Sequence, residues 1–241
     1  MKPYQTIPIC DRSEPLVPIP PGQFAVVQPH PYQALGAPYG HQSPYYLREG
    51  VLAALIEAQR ELQQQHPGWQ IQIFDAFRPL AVQRFMVEHT FLEQVRARGW
   101  FGDALTPDQR EVVMAEVVQF WAVPSDDPAT PPPHSTGAAV DITLVTASGE
   151  VVDMGSPIDE VSPRSHPDHF APSAVPAEQA FHAHRTLLNQ MMESAGFRRH
   201  PQEWWHFSLG DQLWAWLRRQ ETGSDKFLAH YGRASVDLWV Q

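Results

Sequence analysis

Cysteine is nearly absent from this 241-residue chain, Cys10 being its single example. One thiol excludes an internal disulfide and any thiolate metal cluster. It fits a reducing compartment and reads as an incidental or buried side chain. Basic residues are scarce as well, with 17 Lys and Arg against 27 Asp and Glu and a formal net charge of −10. Nucleic acids and anionic membranes both recruit clustered positive charge, so neither is an expected partner. No apolar run approaches the roughly 18 residues of a membrane span. The N-terminal stretch MKPYQTIPICDRSEPLVPIPPGQ carries Pro, Asp and Glu where an export signal needs an unbroken apolar segment. The expected location is therefore cytoplasmic. There is no internal repeat, no low-complexity tract beyond PPP at 131–133, and no G-x-S-x-G stretch of the kind serine hydrolases display.

What is abundant is proline and histidine, 24 and 12 residues. The prolines gather at the N-terminus, at 124–133 and at 157–176, where they read as ordered loops between elements. Residues 1–43 form an expected proline-rich wrap. Ser43-Pro44 supplies a helix start, and Val51, Leu55, Ala58 and Leu62 recur at helical spacing, predicting a helix over 44–65. Trp69, Ile71 and Ile73 alternate with glutamines, the period of a half-buried strand. That strand runs into Asp75-Ala76-Phe77-Arg78-Pro79, which places Arg78 at a strand-to-helix corner. Helices are predicted over 79–98, from Thr106-Pro107 with a capping box to Gln109, over 177–195, and over 211–220. Strands are predicted over 138–145, at 197–199 and over 203–209, with a hairpin turn at 147–150 and a polar loop at 160–176. The order implies one α+β domain spanning 1–241, with an antiparallel sheet and helices packed on one face.

Two stretches carry chemistry. PPPHSTGAAVDITL offers His134 and Asp141; EWWHFSL offers Glu203 and His206. Two imidazoles and one carboxylate form the ligand set of an open catalytic zinc, and a further carboxylate can take the proton of a metal-bound water. The other close histidine pairs are weaker. His166 and His169 sit in a loop, and His182 and His184 diverge on a helix. Ser135, beside His134, reads as structural.

Taken together and in order, FDAFRP, HSTGAAVDITL, DMGSPID and GF followed by EWWH resemble the zinc D-alanyl-D-alanine dipeptidases of the vancomycin-resistance (VanX) type, over about residues 30–210. The resemblance implies the zinc fold shared with D-alanyl-D-alanine carboxypeptidases and the hedgehog signalling domain. It also implies hydrolysis of D-Ala-D-Ala to two D-alanines, with one Zn2+ per chain. By motif, His134, Asp141 and His206 would be the ligands, Glu203 the general base, and Arg78 the group that stabilises the oxyanion. Asp159, with Tyr32, would receive the free amino group of a small dipeptide substrate. One departure is Pro132, where many members carry a serine that contacts substrate. The nearest rival is a carboxypeptidase trimming longer muropeptides, and the rival of another class is a non-catalytic zinc-binding module. Neither oligomeric state nor physiological role follows from the sequence.

Overall fold

The alternating strand is the place to begin, because everything that follows is laid against it. The computed structural model describes residues 2–234. Before the strand, the chain forms a 3-10 turn at Pro3–Thr6, β1 (Leu16–Pro18), β2 (Ala25–Val26), a short α1 (Pro31–Ala34), β3 (Tyr46–Arg48) and α2 (Glu49–Gln65). The strand itself, β4, spans Gln70–Asp75. Then come α3 (Leu80–Ala97), α4 (Pro107–Phe120), β5 (Ala139–Val145), α5 (Pro176–Ser194), β6 (Arg198–Arg199), β7 (His206–Ser208) and α6 (Gln212–Thr222).

Five strands pair in the order β2-β4-β5-β7-β6. All pairs are antiparallel except β2 with β4, so the sheet is mixed at one edge. β5 is central and buried along all of its residues. Val140, Ile142 and Leu144 face one side with Ile71, Ile73 and Phe207, under a layer made by α2 and α5. The helices expected on one face are these two. The α3–α4 pair gathers a second core with Tyr32 and Trp121, against which Phe74 packs from the opposite side of β4.

A bulge decides what the other face displays. By simple alternation Asp75 would follow Ile71 and Ile73 into the aliphatic core, an unfavourable place for a carboxylate. The register shifts between Ile73 and Asp75, so Asp75 comes opposite Asp141 instead. Across β7, Asp141 pairs with His206 and Ala139 with Ser208. One face of the sheet is therefore aliphatic, and the other collects Asp75, Asp141, His206 and Ser208.

Several sequence expectations need correction. The helix predicted from Ser43-Pro44 begins at Glu49, because Tyr46–Arg48 pairs with β1 and Ser43 Oγ merely accepts the Tyr45 N–H. The strand predicted over 203–209 is confined to His206–Ser208, which leaves Glu203 in the preceding turn. The 147–150 hairpin closes on a single bridge, Val145 to Val151. The 160–176 loop is not wholly exposed: it contains a 3-10 turn, and Ser165 and Phe170 are buried. The Thr106–Gln109 capping box forms as the sequence implies. Among the described residues no helix is long and apolar enough to cross a membrane.

Candidate metal centre

The HSTG segment positions the first imidazole. Residues Pro133–Thr136 make one 3-10 turn that ends on Gly137 with φ 73°. A Cβ at Gly137 would sit 2.3 Å from Leu16 Cδ2, so only glycine fits there. Thr136 Oγ1 donates to Pro133 O and accepts from Ala138 N–H. Ser135 Oγ donates to Arg78 O, and Arg78 N–H donates to His134 O. Ser135 is thus a brace between the turn and the Arg78 corner. Pro132 opens the turn, and its carbonyl accepts the Ser135 N–H.

His134, Asp141 and His206 converge, with one donor atom from each lying within 4.8 Å of the others. His134 Nε2 is 3.1 Å from His206 Nδ1 and 3.2 Å from Asp141 Oδ2, and His206 Nδ1 is 3.0 Å from Asp141 Oδ1. The tautomers follow from the outer partners. His134 Nδ1 lies 2.7 Å from Ala76 O, and a carbonyl only accepts, so that nitrogen carries the proton. Ser208 Oγ spends its hydrogen on Asp211, so at 3.3 Å from His206 Nε2 it accepts, and that nitrogen also carries the proton. In the neutral rings both inward nitrogens then present lone pairs, facing each other beside a carboxylate. Such a set repels itself until a cation stands between its members, and its two nitrogens and one oxygen suit zinc. The residues fit the metal. Among the described residues this is the one such group of three; neither His166–His169 nor His182–His184 joins it.

Glu203, Arg78 and Asp159 line a cleft around this cluster. Glu203 is buried, with Oε1 3.5 Å from His200 Nδ1 and Oε2 3.8 Å from His206 Nδ1. Burial pushes its pKa well above the usual carboxylate range, and the charge of Asp141 adds to this. Arg78 donates from Nε to Asp75, from Nη1 to Gln83, and from Nη2 to Tyr32 and Asp141. Its guanidinium also lies 4.9 Å from the Tyr32 and Trp121 ring centres. Tyr32 Oη donates to Asp159 Oδ2 at 2.7 Å, so the two residues expected to share the amino group do meet. Burial pushes the Asp159 carboxyl up to about 7, helped by the Asp141 charge and opposed by Arg78. For Asp141 itself, burial acts upward, but the adjacent His134 and His206 hold it below the usual range.

Some contributors were not legible beforehand. Asp75 binds Arg78 and His30 and approaches His134 Nδ1 at 3.4 Å. It stands in FDAFRP, yet alternation assigns it to the wrong face, and only the bulge brings it here. Lys2, Tyr4, Gln83, Trp121 and His200 also line the cleft. Nothing local in the sequence marks them, since long-range packing brings each one in. Trp204 fills the core with Nε1 on Ser156 Oγ, whereas Trp205 walls the cleft.

Residues 25–227 match the Peptidase_M15 family, described as D-ala-D-ala dipeptidase. A D-alanyl-D-alanine dipeptidase of Synechocystis sp. is 51% identical over 239 residues, covering 97% of each chain. One of Escherichia coli K12 is 35% identical over 142 residues, covering 59% of this chain and 56% of that one. A solved structure of VanYB in complex with D-Alanine-D-Alanine aligns with a TM-score of 0.44 at 16% identity, covering 74% of this chain and 78% of that chain.

Proposed function

Because the chain belongs to the Peptidase_M15 family of D-Ala-D-Ala dipeptidases, we propose that it hydrolyses free D-Ala-D-Ala to two D-alanines in this cleft, with Glu203 as general base. The observation that carries the reading is the convergence of two lone-pair imidazole nitrogens and Asp141 next to a buried Glu203. His134, Asp141 and His206 would hold one Zn2+, which when bound polarises the scissile carbonyl and acidifies water.

The chain's own residues supply the rest. Glu203 removes the proton of the attacking water and returns it to the leaving amine, a task helped by the greater basicity that burial gives its carboxylate. Arg78 places a permanently charged guanidinium where negative charge grows on the carbonyl oxygen, and its anchors Asp75 and Gln83 fix its orientation. Asp159 and Tyr32 receive the α-ammonium, which restricts cleavage to peptides with a free amine next to the scissile bond. A soluble dipeptide substrate and a lone cysteine fit a cytoplasmic setting.

The test is turnover of D-Ala-D-Ala and N-acetyl-D-Ala-D-Ala by the zinc-loaded protein, beside Glu203→Ala. Expected are cleavage of the free dipeptide alone and a loss of about 10²–10⁴-fold in Glu203→Ala with zinc retained. Cleavage of the acetylated or longer peptide would transfer the assignment to a carboxypeptidase. Zinc binding without any cleavage would leave a binding module.

A further inference from the structure

A dipeptide is charged at both ends, and Asp159 with Tyr32 answers only the ammonium. The terminal carboxylate must shed water to enter the cleft, and without a cation it would pay that desolvation uncompensated. Among the described residues that line the cleft, Lys and Arg are represented by Lys2 and Arg78. Arg78 is already engaged by Asp75, Asp141, Tyr32 and Gln83. Lys2 makes no close ion pair among the described residues, and the charge that acts on it is that of Glu203 across the same cleft.

The segment bearing Lys2 is built into the fold. The Lys2 N–H donates to Gln5 Oε1 at 2.8 Å, which starts the Pro3–Thr6 turn. Tyr4 is 6% exposed and lines the same cleft. Gln212, at the start of α6, donates from Nε2 to Ile7 O at 2.7 Å, to Gln5 O at 3.3 Å and to Ala129 O at 2.9 Å. Those bonds fasten the N-terminal turn to α6 and to the linker that leads into His134. The backbone that carries the Lys2 side chain is thus fixed beside the cleft, where the carboxyl of Glu203 is the acidic group whose charge acts on it.

We propose that the Lys2 ammonium binds the C-terminal carboxylate of the dipeptide, so that the N-terminal turn forms the subsite of the leaving D-alanine. The assignment rests on the dipeptidase reading above. Asp159 and Lys2 then read the two ends of the substrate, and together they select for a length of two residues.

The experiment compares D-Ala-D-Ala with its C-terminal amide in the zinc-loaded wild-type protein, Lys2→Met and Lys2→Arg. Dissociation constants of a non-hydrolysable phosphinate dipeptide and its C-terminal amide, from calorimetry, repeat the comparison without turnover. Loss of one charge-assisted contact should lower kcat/KM for the acid about 10–100-fold in Lys2→Met, chiefly through KM, and leave the amide unchanged. Lys2→Arg should restore most of the activity toward the acid. Equal losses on acid and amide would make Lys2 a structural residue and overturn the proposal, as would an unchanged acid in Lys2→Met. If the wild type neither cleaves nor binds any of these ligands, the dipeptidase reading itself has failed and the Lys2 assignment falls with it.

Discussion

Asp159 combines two unusual properties. Its backbone is left-handed at φ 66°, a conformation that Asp tolerates better than most residues, and its buried carboxyl is raised to about 7. A protonated, neutral Asp159 cannot pair with a substrate ammonium. Affinity for D-Ala-D-Ala should therefore be present above pH 7 and fall about tenfold for each unit below it. The dependence should appear in kcat/KM, which reports the free enzyme, and much less in kcat, because the bound ammonium itself favours the carboxylate. Asp159→Asn should abolish this slope in the binding of a non-hydrolysable dipeptide and lower kcat/KM about 100-fold; a binding slope that survives in Asp159→Asn would remove Asp159 from amine recognition. At this scale the sequence was informative. His134, Asp141, Glu203, His206, Arg78, Tyr32 and Asp159 could all be named, and they do share one region. Asp75 could not, because its role depends on a register shift that no residue pattern announces.

α5 controls a loop whose regular structure is a single short 3-10 turn, Pro163–Ser165. Arg185, fully buried on that helix, donates to Met154 O, His166 O and Arg164 O and to Ser156 Oγ. Its guanidinium lies 4.8 Å from the Phe170 ring centre and 5.3 Å from that of Trp204. Gly155 completes the packing: a Cβ there would come within 2.4 Å of Phe170. This clamp sets the course of the 154–166 segment and hence the position of Asp159. Lysine keeps the charge but cannot reproduce a planar fork with several donors. Arg185→Lys should lower stability by about 1–3 kcal/mol, or Tm by about 2–12 °C. KM for D-Ala-D-Ala should rise about tenfold, with kcat changed less than about threefold. A fall in kcat at constant KM would show that the clamp serves the metal cluster instead. Elements with strong local signals were legible: the alternation in β4 and β5, and the capping box of α4. The start of α2 was not, because Ser43-Pro44 has the grammar of a helix cap while pairing with β1 claims the residues after it.

The molecule as a whole depends on its central strand. β5 is flanked by β4 and by β7, and each neighbour brings a site residue to it, Asp75 from one side and His206 from the other. Three facing lone-pair donors are strained without a cation, so chelation should reduce stability and zinc should restore it. With metal at about a thousand times its Kd, linkage gives about 4 kcal/mol. For a chain of this size that is a Tm rise of about 8–16 °C over the chelated protein, measurable by calorimetry. The same Tm with and without chelator would argue against metal at this cluster. The α+β class and the dipeptidase family were legible in advance, since they rest on local periodicity and on four short motifs. The parallel edge strand and the closure of the cleft by Lys2 and Tyr4 were not, because both arise from contacts between distant parts of the chain.

The pairing of Asp141 with His206 spans 65 positions of sequence, and that of His134 with His206 spans 72. During synthesis the first two donors emerge from the ribosome long before the third. β5 then waits without its β7 neighbour, and Glu203 has not yet been made. The three donors stand together only after His206 has left the exit tunnel. A translation product that stops short of Glu203 would carry most of the described helices but only two of the three donors.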